Sequence, residues 1–162
     1  MPLLTRKMPS WEGVAAGQTA TVRLTTGLRF HKLLIPYSGV TLAQMTEMRL
    51  MVNGKQVQRI IGAAVLDSVN QFDGRNATSG ILTLDFERYG LITRAGSELT
   101  VIDTTAQAVQ PISTLTLEID IDGAALAPVL SAPKAIQSGA AANSNPLLKH
   151  VRVFGKDPTG AG

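Results

Sequence analysis

Cysteine is absent from this chain, and histidine occurs only at His31 and His150. Without thiols there is no disulfide, no thiolate metal site and no cysteine nucleophile, a composition compatible with a reducing compartment. Two separated histidines are poor material for a zinc centre, a cupin-type metal site or a histidine-based triad. Aromatic residues make up only 4%, which counts against a sugar-binding platform. Long apolar runs are missing as well: Leu33–Ile35 and Ala63–Leu66 fall far short of the roughly 20 residues that span a bilayer. Met1–Trp11 places Arg6 and Lys7 just after its leucines and lacks the apolar core of a signal peptide, so no secretion route is expected. The chain also has no Gly-Lys-Ser/Thr phosphate loop, no HExxH and no GxSxG elbow, which removes the commonest signatures of catalysis.

What is present points to shape. At 162 residues the chain is the size of one domain and needs no cross-links to fold. Its net charge of +3 conceals a segregation along the chain. Residues 1–94 carry 11 basic and 6 acidic side chains, residues 95–133 carry 5 acidic and no basic ones, and residues 134–162 carry 4 basic and 1 acidic. A nucleic-acid binder gathers positive charge with interleaved aromatics, so no specific nucleic acid is expected. Blocks of opposite sign suit complementary contacts between copies of one protein, or a solvated surface of uneven charge.

A period of two dominates the pattern. In Thr114–Asp122, Leu115, Leu117, Ile119 and Ile121 alternate with Thr116, Glu118, Asp120 and Asp122, which puts one set inward and the other in water. Gln18–Thr26 and Ile81–Glu87 alternate in the same way, and Leu28–Ile35 ends in a continuous apolar run. Asn53-Gly54 joins two further strands, since this pair supplies the positive φ angles of a type I′ turn. Leu99–Asp103 and Val151–Phe154 are shorter strand candidates. Two segments depart from the pattern. Thr41–Glu47 reads as a short helix capped by Thr41. Gly62–Phe72 reads as a helix of about three turns with Ala63, Leu66, Val69 and Phe72 on one side. Ala132–Pro146, small and polar, reads as an extended loop. The fold class is all-β: a jelly-roll β-sandwich of about eight antiparallel strands with one or two short inserted helices.

Few residues suggest chemistry. Glu118, Asp120, Asp122 and Gly123 imitate the start of a calcium loop, but its twelfth position is Val129, where a bidentate Glu is required. A strand projects the three carboxylates from one face about 7 Å apart, where a cation or a basic partner could sit. They are weak metal candidates, with calcium as the ion. Asp85 and Glu87 share a strand face, a spacing that does not by itself exclude an acid/base pair, yet no sugar platform lies beside them. His31, out of phase with Phe30, reads as a surface or interface histidine, and His150 as part of a basic tail. Trp11, Tyr37, Phe72 and Tyr89 read as core or loop anchors. Asn76-Ala77-Thr78 matches a glycosylation sequon that matters only on secretion. No catalytic or cofactor-binding residue and no small-molecule substrate are expected.

Taken in order, the segments GQTATVRLTTGLRFHKLLI (Gly17–Ile35), MRLMVNGKQVQRIIGA, VLDSVNQFDG, GILTLDF (Gly80–Phe86), VIDTT (Val101–Thr105) and LTLEIDIDGA resemble the N-terminal half of corticovirus-type major capsid proteins. Those belong to tailless, icosahedral phages with an internal membrane. The resemblance covers roughly residues 10–135 and rests on the order of segments, not on a catalytic signature. It implies a structural protein of a phage or prophage, built as a double jelly roll. Three copies form a trimeric capsomer of a virion shell assembled in the host bacterial cytoplasm. Only one jelly roll fits this length, so residues 1–135 are expected to form it. Residues 136–162 would be a linker and the start of a second, with Leu147–Phe154 as its first strand, in a piece of a longer protein or a shortened relative. Glu118–Asp122 and the basic stretches 23–59 or 149–156 are expected to face neighbouring subunits, and Arg6 and Lys7 to lie near anionic lipid. The alternative is a jelly-roll module that binds carbohydrate or a cell surface through a concave aromatic patch.

Overall fold

A computed structural model describes residues 3–74, 79–87, 101–105 and 111–138. The strands are β1 (Leu4–Lys7), β2 (Thr19–Leu24), β3 (Arg29–Ser38), β4 (Met45–Val52), β5 (Lys55–Ile60), β6 (Ile81–Asp85), β7 (Ile102–Asp103), β8 (Leu115–Ile121), β9 (Val129–Leu130) and β10 (Lys134–Ser138). One helix, α1 (Ala63–Phe72), joins β5 to β6, and a 3-10 turn, Leu42–Gln44, precedes β4.

The pairing is nested. β4 pairs with β5, β3 with β6, β2 with β8 and β1 with β10, every pair antiparallel. A chain that pairs with itself in this way is one long hairpin. Lateral pairing of β3 with β10 and of β4 with β8 rolls it into two sheets, β1-β10-β3-β6 and β2-β8-β4-β5. This is the jelly-roll arrangement. The short strands β7 and β9 both add to β3.

Alternation of side chains builds the core between the sheets. In β8, Leu115, Leu117, Ile119 and Ile121 are buried while the residues between them are half-buried. They meet Ala20, Val22 and Leu24 of β2 on one side and Met48 and Leu50 of β4 on the other. Phe30, Leu33 and Ile35 of β3 and Leu82 and Leu84 of β6 supply the facing layer. Burying one such side chain contributes roughly 1.5–3 kcal/mol, so this stripe carries the fold.

Turn chemistry fixes the ends. Asn53 (φ 51°) and Gly54 (φ 80°) form the expected tight turn. Asn53 does more: its Oδ1 accepts from the backbone N–H of Ser113 (2.8 Å) and Thr114 (3.2 Å), and its Nδ2 donates to the Pro111 carbonyl (3.1 Å). The hairpin tip is thereby tied to the segment leading into β8.

Several expectations are corrected. β3 continues through Pro36 to Ser38. Its neighbour Tyr37 donates to Gly80 on the β6 side, so the missing N–H of Pro36 faces the other side, beyond the last residue paired with β10. The Thr41 cap is present with its reciprocal Gln44 bond, but the helix it starts is a single 3-10 turn and Met45–Glu47 is already strand. Lys134–Ser138, assigned to a loop, forms β10 between β1 and β3, so the sheet runs past residue 135. Helix α1 turns Ala63, Leu66 and Asn70 toward the core, with Asn70 donating to the Thr83 carbonyl at 2.8 Å. Val69 and Phe72, expected on that side, are exposed. Val151–Phe154, the sequon and residues 99–100 lie outside the described residues, while the rest of the Leu99–Asp103 candidate supplies the two-residue strand β7.

Candidate functional site

Two groups of polar side chains stand out, one on each sheet. The first is centred on Arg49 of β4. Pairing sets Arg49 opposite Glu118 of β8 and diagonal to Asp120, two residues further along the same face. Its guanidinium reaches three carboxylates: Glu118 through Nε (3.1 Å), Asp120 through both terminal nitrogens (2.8 Å each) and Glu47 through Nη1 (2.9 Å). Arg59 of β5 adds a second bond to Glu47 at 2.8 Å, and the Thr19 hydroxyl donates to Asp120 at 2.6 Å. A bidentate Arg–carboxylate fork is the strongest geometry such a pair adopts. The Arg49 bonds hold the Asp120 carboxyl below its usual range, while Arg59 first and Arg49 second do the same for Glu47. Arg49 is pushed upward in return, chiefly by Asp120.

This arrangement accounts for the acidic stripe. Glu118 and Asp120 receive their positive charge from Arg49 within the chain. Asp122 sits apart, its Oδ1 accepting from the Ala124 N–H at 3.0 Å in the turn after β8. Among the described residues no three Asp, Glu or His side chains converge as a metal site would require. Of the stripe expected to face a neighbour, Glu118 and Asp120 are paired inside one molecule, by a residue of the 23–59 stretch itself. Residues 149–156 lie outside the described residues.

The second group surrounds His31. It is buried, not superficial: Nδ1 lies 2.9 Å from Glu87 Oε2 and Nε2 2.8 Å from Ser138 Oγ. The cause is an irregularity in the β3–β10 register, where Lys32 pairs with Ile136 but Phe30 with Gln137, skipping His31. The Phe86 and Glu87 N–H groups both donate to the His31 carbonyl and fold the chain after β6 over the ring. Serine, imidazole and carboxylate in this order are the parts of a hydrolytic relay. Ser138 is fully buried, however, so no substrate carbonyl can reach its Oγ. The three side chains tie β3, β10 and the end of β6 together. Lys32 Nζ stands 4.0 Å from both Asp85 and Glu87, so that carboxylate pair is part of an ionic cluster. Nearby, Gln137 is completely buried with neither amide atom hydrogen-bonded.

Among the described residues the aromatic side chains do not form a platform. Trp11 is buried and donates its indole N–H to the Ser131 carbonyl at 3.1 Å. Phe30 and Phe86 pack edge to face with centroids 6.4 Å apart. Tyr37 is half-buried against the core, and Phe72, expected as an anchor, is 91% exposed. Tyr89 and His150 lie outside the described residues. No helix among the described residues is long and apolar enough to cross a membrane.

Comparison with known proteins agrees with this geometry. The family model described as viral coat protein P2 N-terminal domain matches residues 5–137. Among solved structures, the crystal structure of the major capsid protein P2 from Bacteriophage PM2 superposes with a TM-score of 0.75 at 24% identity. The match covers 85% of this chain and 51% of that one, so the chain spans about half the length of the phage protein. No curated protein matches the chain.

Proposed function

Because the chain belongs to the viral coat protein P2 N-terminal domain family, a structural and not an enzymatic part of a virion coat, we propose that its copies associate into trimeric capsomers that tile an icosahedral shell. The nested pairing of strands around one apolar core carries this reading, because it gives a rigid block whose work is done by its outer surface. The two polar groups are internal ties: the carboxylates around Arg49 are paired with it, and the Ser138 hydroxyl is buried. Stable contacts between such blocks bury roughly 1,200–2,000 Å² in total. Sedimentation of the purified chain tests the proposal, with a species of three times the protomer mass expected and a monomer at every concentration counting against it.

The internal membrane is the finer part of the reading. Leu3, just before β1, and Leu4 within it are 56% and 46% exposed, and Arg6 and Lys7 are exposed beside them. An apolar and basic strand at a sheet edge suits the surface of an anionic bilayer. Flotation with anionic vesicles should separate the wild type from an Arg6→Glu, Lys7→Glu variant, and equal binding would end this part.

A further inference from the structure

We infer that the outward face of α1 is a twofold contact between two copies of this chain, a reading that rests on the coat role proposed above and names one of its surfaces. The helix is apolar on both sides. Ala63 and Leu66 pack on the core, while Val65 is 52%, Val69 50% and Phe72 91% exposed on the opposite side. Ile61, just before the helix, is 68% exposed. Six of the ten residues of α1 are apolar and they lie on both of these sides, yet among the described residues only the Ala63–Leu66 side packs on the core.

The relief of this face selects the occupant. Val65 and Val69 stand four residues apart and Phe72 continues their line, which makes a raised ridge along the helix. Beside it run the small residues Ala64 and Ser68, also four apart, which leave a shallow furrow with the ridge as its wall. A ridge and a furrow side by side on one surface are self-complementary under a twofold axis. Each helix lays its ridge into the other's furrow, the commonest packing of two helices, at a crossing angle of about −50°.

Charge and area agree. Asp67 is the only charged residue of α1, and Gln71 Nε2 donates to it at 2.7 Å. The helix face by itself offers no Lys or Arg to phosphate or to anionic headgroups. Large apolar side chains exposed to this extent form a patch on the order of 400–500 Å², the size at which a patch on a monomer is often functional. A stable dimer needs roughly 800 Å² from each partner. The exposed strand β5 next to the helix, with Val57 59% exposed, supplies the remainder.

Two variants of the full chain test this by sedimentation over a wide range of concentration. Val65→Ser, Val69→Ser, Phe72→Ser removes the ridge, and Ser68→Arg fills the furrow. Both change exposed positions, so unfolding midpoints near the wild type's serve as the folding control. Each should raise the dimer dissociation constant about a hundredfold, since a few apolar anchors dominate the affinity of an interface. The lack of native cysteine allows a third measurement: Ser68→Cys should form a disulfide-linked dimer on oxidation, because a twofold crossing brings residue 68 close to its own copy. Association of both variants as tight as the wild type's would overturn the inference. A trimer that persists in them while the twofold contact disappears supports it. A trimer with no twofold contact in the wild type overturns this inference and leaves the coat role standing. A wild type that is monomeric throughout overturns both.

Discussion

Replacing Arg49 with methionine keeps the aliphatic stem and removes the charge, and the structure says how much stability should follow. Arg49 touches Glu47, Glu118 and Asp120 at 2.8–3.1 Å, with side chains 20–31% exposed. Partly exposed pairs of this kind contribute about 0.2–1 kcal/mol each, so the Glu118 pair and the stronger, bidentate Asp120 fork together give roughly 2 kcal/mol. For a domain of this size that loss lowers Tm by about 4–8 °C. The sign with pH follows from the carboxylates. Glu47 and Asp120 ionise at lower pH when folded than when unfolded, so their contribution is complete above the ordinary carboxylate range near pH 4. It is lost as pH falls through the depressed folded values. Urea unfolding of both proteins should therefore show a gap of about 2 kcal/mol at pH 7 that narrows steadily toward about pH 2. Added salt should narrow it at neutral pH as well. A gap of constant size across the acid range, or none at pH 7, refutes the reasoning.

Substitutions at three other positions probe the fold. Gln137→Leu exchanges a buried, unbonded amide for an apolar group of similar volume, and should stabilise the protein by about 1–2 kcal/mol in urea unfolding; a loss of stability would mean that the amide is engaged. Asn53→Ala strips the hairpin tip of its bonds to residues 111–114 and should cost about 1–3 kcal/mol. Asn53→Asp, which keeps the acceptor, should cost less, and equal losses would assign the effect to the backbone alone. Leu117→Ala opens a cavity in the middle of β8, between Val22 and Leu50, and should cost about 2–5 kcal/mol; a cost below 1 kcal/mol would place the core elsewhere.

The central strands were legible because burial on one face writes a period of two, as in Leu115–Ile121. The Asn53-Gly54 turn was legible because its backbone angles demand those residues. β1 and β10 left no such trace. All of Leu4–Lys7 is exposed and held by backbone bonds alone, and Lys-Ala-Ile-Gln-Ser acquires its burial from strands on both sides, not from its own hydrophobicity. His31 was misplaced because one skipped residue in the register breaks strict alternation. On α1, Val69 and Phe72 were read as inward-facing because hydrophobicity alone cannot say which of two apolar sides meets the core. The acidic stripe was visible in the sequence. The arginine that neutralises it was not, since Arg49 and Glu118 are 69 residues apart and meet only once β4 and β8 are paired.

The long hairpin has a kinetic consequence. Its tip, Asn53-Gly54, closes locally and quickly, whereas β1 cannot find β10 until nearly the whole described chain has left the ribosome. Until then β3 presents one unpaired edge of backbone donors and acceptors to the cell. The last few residues synthesised before Ser138 act as the cover for that edge, so the closing of this sheet is also the step that shields β3 from aggregation.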